Sequence, residues 1–174
     1  MCVLIIKPRG VKMPAKDILK KCHKANPHGC GFISERHFYK TLDFDEFLEK
    51  LNEVEDSENC IIHFRLATHG SINVHNCHPF RDRKTNTFFA HNGVLPIESK
   101  NDLTDSEICF RAEIVPALKD YGFDSKEFDR VVNRIRHGTR FAIMHKGEVK
   151  TYGDFQTLNN IKYSNLRWLN YYFI

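Results

Sequence analysis

Apolar runs in this chain are short, as at Val3-Leu4-Ile5-Ile6, and none approaches the length that crosses a bilayer. Six prolines and nine glycines in 174 residues are too few for a disordered or collagen-like chain. None of the six cysteines forms a C-x-x-C pair, and no standard zinc-ligand spacing occurs. No internal repeat, low-complexity tract or linker is visible, and Lys7 and Arg9 interrupt the N-terminal region where a secretory signal would need its apolar stretch. These absences exclude collagenous, disulfide-framework and membrane-spanning classes. What is present, 41% hydrophobic and 28% charged residues, suits a soluble globular protein, expected in the cytoplasm and built as one domain over residues 1–174.

The net charge of +4 is mild. Positive charge concentrates at residues 12–24 and around Arg130, Arg134, Arg136 and Arg140. Solvated helix faces are the preferred reading over a nucleic-acid surface, because no aromatic-interleaved recognition motif accompanies the charge. Without a secretory signal the cysteines Cys22, Cys30, Cys60, Cys77 and Cys109 read as small buried hydrophobes.

Periodicity predicts a buried strand at Val3 to Lys7 and a helix from Pro14 to Ala25 with Ile18, Leu19, Cys22 and Ala25 on one face. A turn at Asn26-Pro27-His28-Gly29 is followed by two short strands, Cys30 to Ser34 and His37 to Thr41. Asp43-x-x-Glu46 opens a second helix, and strands are expected from Asn59 to Ala67 and from Thr87 to His91. Thr104-x-x-Glu107 opens a helix carrying Ile108, Ala112, Val115 and Leu118, and Glu127 to Ile135 is helical too. Arg140 to His145 and Glu148 to Tyr152 form a hairpin turning at Lys146-Gly147. The aromatic tail after Phe155 has no clear pattern. Strands, helices, then strands indicate an α+β domain with antiparallel sheet.

Four segments carry chemistry. Cys2 follows Met1 directly; removal of Met1 would leave a thiol and a free α-amine on one residue. That amine, with an ordinary pKa of about 7.7–8.0, can act as the thiol's own base. A cysteine at position 2 is weak evidence alone. The stretch His63-Phe64-Arg65-Leu66-Ala67-Thr68-His69-Gly70 puts an arginine at the end of a buried strand, suited to gripping a carboxylate or equally to a structural ion pair. His91-Asn92-Gly93 reads as a hairpin turn or as an oxyanion hole made by a carboxamide and a backbone N–H. Thr104-Asp105-Ser106-Glu107 reads as a helix cap or as a carboxylate, Asp105, for a substrate ammonium.

Taken together and in this order, these segments resemble the class II glutamine amidotransferases, a family of N-terminal-nucleophile hydrolases. Cys2 matches the family's nucleophile, Arg65, Thr68 and His69 its H-x-R-x-A-T-H-G segment, Asn92 and Gly93 its oxyanion-hole N-G, and Asp105 its [ST]-D-[ST]-E segment. The turn Asn26-Pro27-His28-Gly29 with Gly31-Phe32 is similar to that of compact, stand-alone members. Two departures stand out: Leu66 replaces a frequent Trp, and the stretch between Gly93 and Asp105 is short. The resemblance implies a four-layer αββα sandwich with largely antiparallel sheets. It implies L-glutamine as substrate, catalysis by Cys2, Asn92 and Gly93, and substrate binding by Arg65, Thr68, His69 and Asp105. It implies no metal or cofactor, and a separate synthase partner that takes the ammonia.

Three competing readings follow from the same residues. A γ-glutamyl amide hydrolase would use the room left by Leu66 and the short segment. A metal protein would draw on His63, His69, His75, Cys77, His78 and His91. A non-catalytic module would sense glutamine or bind nucleic acid.

Overall fold

The computed structural model describes residues 2–67, 70–99 and 102–170. Two antiparallel sheets lie face to face. The larger has six strands in the order β3 (Phe38–Thr41), β2 (Cys30–Ser34), β4 (Cys60–Phe64), β1 (Val3–Lys7), β10 (Ile161–Tyr163) and β9 (Gln156–Leu158). The smaller has four, β5 (Phe80–Asp82), β6 (Thr87–Asn92), β7 (Arg140–His145) and β8 (Glu148–Tyr152). Helices α1 (Lys16–Ala25) and α2 (Phe44–Leu51) cover the larger sheet. Helices α3 (Asp105–Cys109), α4 (Val115–Tyr121) and α5 (Lys126–Ile135) cover the smaller. The result is the αββα layering that the resemblance implies.

Burial explains why β1 and β6 read as continuous apolar runs rather than alternating ones: both faces of each are covered. Along β1, Val3 and Ile5 face Leu19, Cys22, Phe47 and Leu51 of the outer helices. Leu4 and Ile6 face the other way, meeting Phe88, Ala90, Ala142 and Met144 between the sheets. The two-residue strand period then places Cys2, one step before β1, in the inter-sheet layer. The same alternation carries Arg65, beyond Ile61 and His63, and Asn92, beyond Phe88 and Ala90, into that layer.

Lys7 belongs to the outward set of β1 and is fully buried. Its ammonium donates to the carbonyls of Glu55 (3.0 Å), Asp56 (2.6 Å) and Glu58 (2.7 Å), closing the loop before β4. A Lys7→Met variant removes three donors from these carbonyls. It is expected to lose about 2 kcal/mol, read as a lower urea midpoint with an unchanged m-value.

Most expected elements are present, with instructive differences. Pro14 precedes α1 rather than sitting in its first turn, because Ala15 occupies the N-cap. The strand expected to reach Ala67 ends at Phe64, where Arg65 turns its N–H to the Gly29 carbonyl and its carbonyl to the His28 N–H. Asn92-Gly93 is not a tight hairpin: the chain runs on through residues 94–99 toward α3. Thr104 caps α3 by accepting from the Glu107 N–H at 3.3 Å, but the Glu107 carboxylate turns to Arg111 and His75 instead of completing the box. Ala112 is exposed although expected in the core, because a π-helical turn at Phe110–Ile114 inserts a residue between α3 and α4 and rotates the buried face onto Phe110, Ile114 and Leu118. The aromatic tail forms the β9–β10 hairpin around Asn159 and Asn160, both at positive φ, and β10 pairs with β1. Among the described residues no helix is long and apolar enough to cross a membrane.

Candidate active site

One cleft opens at the end of the inter-sheet layer. Cys2, Arg65, Gly93 and Asp105 all line it, with His63, Leu66, Ala67, Asn76, His78, His91, Thr104 and Ser106. Four of the predicted site residues, drawn from four separate segments, therefore share one concavity. Thr68 and His69 lie outside the described residues.

The Cys2 sulfur accepts from the Leu66 N–H at 3.3 Å, and its thiol lies 3.5 Å from the Leu66 carbonyl. Burial pushes the thiol's pKa up, against the opposing pull of the Leu66 amide and the Arg65 guanidinium. The group is thus held as a thiol, and a nucleophilic role requires a base. The Asn165 carboxamide donates to the Cys2 carbonyl at 2.9 Å.

Arg65 is buried, and its guanidinium donates to the Ser71 carbonyl at 2.9 Å. The turn at Asn26-Pro27-His28-Gly29 supports it from below: besides the two backbone bonds to Arg65, His28 Nδ1 accepts from the Ala67 N–H at 2.9 Å. Gly31 lets the chain at His78 pack directly on β2, since a Cβ there would run into the His78 carbonyl.

Asn92 is completely buried, and its side-chain NH2 donates to Ser164 Oγ at 2.8 Å. Gly93 sits at φ 150°, and a Cβ would lie 2.5 Å from Thr139 Cγ2, so both conformation and space demand glycine. Asp105 is fixed at both oxygens: one accepts from the Leu95 N–H and the other from the Ser106 N–H, each at 2.7 Å. Its neighbour Ser106 meets His91 Nδ1 at 2.7 Å. Glu107, 1% exposed, ties the loop at His75 to α3 through a 3.1 Å contact.

The cleft histidines are neutral above pH 5. Burial, reinforced by the Arg65 and His91 charges, lowers His63 to about 3, and burial lowers His91 to about 4. His78 is pushed well below its ordinary value by burial and its histidine neighbours. The unfolded chain, with histidine near 6.5, binds these protons first as pH falls. Stability is therefore expected to fall on acidification from pH 7 toward pH 4, and a His63→Leu variant to show a shallower slope there in urea titrations at stepped pH. No group of three or more His, Cys, Asp or Glu among the described residues could hold a metal ion.

Sequence reasoning did not find Asn165, Ser164, Ser106 or the Leu66 backbone. The first two lie in the tail whose pattern was unreadable, and their only cue is the Asn159-Asn160 turn that sends β10 back beside β1.

The comparisons bear on this arrangement. Glutamine–fructose-6-phosphate aminotransferase [isomerizing] 2 of Mus musculus is 31% identical over 128 residues, covering 59% of this chain and 18% of its own length. Glutamine phosphoribosylpyrophosphate amidotransferase from B. subtilis, solved with ADP and GMP, superposes with a TM-score of 0.57 at 16% identity, over 94% of this chain and 41% of that one. A structure described as the allosteric regulatory enzyme of purine biosynthesis gives a TM-score of 0.59 at the same 16% identity, with the same coverage of 94% and 41%. At that identity the two structures establish the fold alone. This chain spans less than half the length of each of these relatives. Residues 44–152, more than half of the chain and including Arg65, Asn92, Gly93 and Asp105, match the glutamine amidotransferases class-II family. By its sequence, and in keeping with its fold, the chain belongs to the class II glutamine amidotransferases.

Proposed function

We propose that this chain, acting as one glutaminase domain, cleaves the side-chain amide of L-glutamine through a thioester on Cys2. The observation that carries the reading is the meeting of Cys2, Arg65, Gly93 and Asp105 in a single cleft. Arg65 holds the α-carboxylate, and the doubly anchored Asp105 carboxylate receives the α-ammonium. Thr68 and His69 complete the carboxylate pocket.

With Met1 removed, the α-amine of Cys2 takes the thiol proton, directly or through water, as sulfur attacks the amide carbon. The raised thiol pKa makes that base necessary. The Gly93 N–H and the Asn92 hydrogen not engaged by Ser164 donate to the developing oxyanion. The C–N bond breaks, the protonated amine delivers its proton to the departing nitrogen, and ammonia leaves. Water then attacks the thioester, releasing glutamate and the free thiol. A separate synthase protein receives the ammonia, since release into solvent would waste glutamine.

Intact mass spectrometry before and after incubation with a glutamine-like diazoketone tests this. The expected spectra show a chain lacking Met1, then a single adduct that Cys2→Ala does not form. A chain lacking Met1 that takes no adduct would overturn the reading.

A further inference from the structure

Two adjacent residues of the tail reach both halves of the cysteine centre. After Tyr163 the chain stays beside β1: the Ser164 N–H donates to the Leu4 carbonyl at 2.9 Å. Ser164 Oγ accepts from the Leu4 N–H at 2.9 Å, standing in for a strand carbonyl. The same oxygen accepts from the Asn92 carboxamide at 2.8 Å. One residue on, Asn165 donates to the Cys2 carbonyl at 2.9 Å.

The clamp is itself anchored. Asn165 Oδ1 accepts from the Arg167 N–H at 3.2 Å, and the Asn165 carbonyl accepts from the Trp168 indole at 3.1 Å. Trp168 is buried beside Tyr163 in the outer core. Ser164 and Asn165 both lie past residue 152, where the family match ends.

We propose that Ser164 and Asn165 are positioning residues for this centre, a role that rests on the proposed glutaminase reading. A carboxamide with no partner rotates freely about its last torsion. Here Ser164 holds one N–H of Asn92, which fixes the plane of the amide and aims the second N–H. Asn165 holds the Cys2 peptide, which sets where the thiol and the α-amine of that residue stand. Because Ser164 is also bonded to Leu4, two residues beyond the nucleophile, the cysteine and the oxyanion donor are fixed to one common atom. Neither residue touches substrate. Their loss should appear in turnover and not in glutamine affinity.

The test is steady-state glutaminase kinetics on Ser164→Ala, Asn92→Ala and the double variant, with Asn165→Ala beside them. Ser164→Ala is expected to lower kcat roughly 10- to 100-fold with KM within about twofold. In the Asn92→Ala background the same change should cost less than about twofold, because the group it positions is gone. An equal loss in both backgrounds, or no loss in the first, overturns the role of Ser164. Asn165 is only half-buried, so Asn165→Ala tolerates folding and remains informative if Ser164→Ala does not fold. Its kcat should fall roughly 10-fold at constant KM, and an unchanged kcat overturns its role. A wild-type chain lacking Met1 that neither hydrolyses glutamine nor takes the diazoketone overturns the glutaminase reading itself and the positioning role with it.

Discussion

A Cys2→Ala chain is expected to release glutamate at least ~10⁴-fold more slowly than the wild type while unfolding at nearly the same urea concentration. Alanine is as small as cysteine, so removal of Met1 is unaffected and the α-amine base remains. The Asn165 bond to residue 2 uses a backbone carbonyl and survives. What disappears is the sulfur and its contacts with the Leu66 backbone, which are partly exposed and of small energetic consequence. Fold and chemistry are therefore separable in this one variant. A rapid-quench experiment adds a second readout: the wild type should accumulate a γ-glutamyl thioester of one equivalent per chain, and the variant none. Residual hydrolysis within tenfold of the wild type would assign the reaction to another group.

Arg65→Met is expected to raise KM for glutamine about 100-fold with little change in kcat. The guanidinium is distant in chemical role from the scissile amide: it grips the α-carboxylate equally in ground and transition states, so its loss weakens binding uniformly. Breaking a buried charge-assisted pair costs ~2–5 kcal/mol, which sets the scale. Methionine fills the stem's volume, and the lost structural contact is the 2.9 Å bond to the Ser71 carbonyl. The analogue 4-aminobutanamide, which is glutamine without its carboxylate, supplies the control. It should be a poor substrate for the wild type and no worse for Arg65→Met. A further loss with this analogue would mean that Arg65 supports the cleft rather than the carboxylate.

Family membership and the geometry of the cleft point at the same residues by independent routes. Arg65, Asn92, Gly93 and Asp105 fall within the family match at residues 44–152, whereas Cys2 and its Asn165 anchor fall outside it. The cleft unites the two sets. Of the competing readings, a metal centre loses its footing among the described residues: His63 and His78 pack ring to ring at 4.2 Å, and His91 is engaged by Ser106.

Much was legible in the residues themselves. The caps at Asp43 and Thr104 mark helix starts because side-chain oxygens satisfy N–H groups that the first turn leaves open. Lys146-Gly147 turns a hairpin because both residues accept positive φ, and Arg65, Asn92-Gly93 and Asp105 stand in a recognisable order. Such features are local: each depends on neighbours within a few positions. The π-turn after α3 escaped because its cause is tertiary, the need to bury Phe110 and Ile114 together against the smaller sheet. Ser164 and Asn165 escaped for a stronger reason. Their partners Leu4, Asn92 and Cys2 are 160, 72 and 163 positions away, and no periodicity reports a pairing over such separations. The sequence by itself determined which chemical groups this protein carries and the local elements that hold them. Only the tertiary structure, by bringing β10 beside β1 and laying one sheet over the other, decided that those groups face one another across a single cleft.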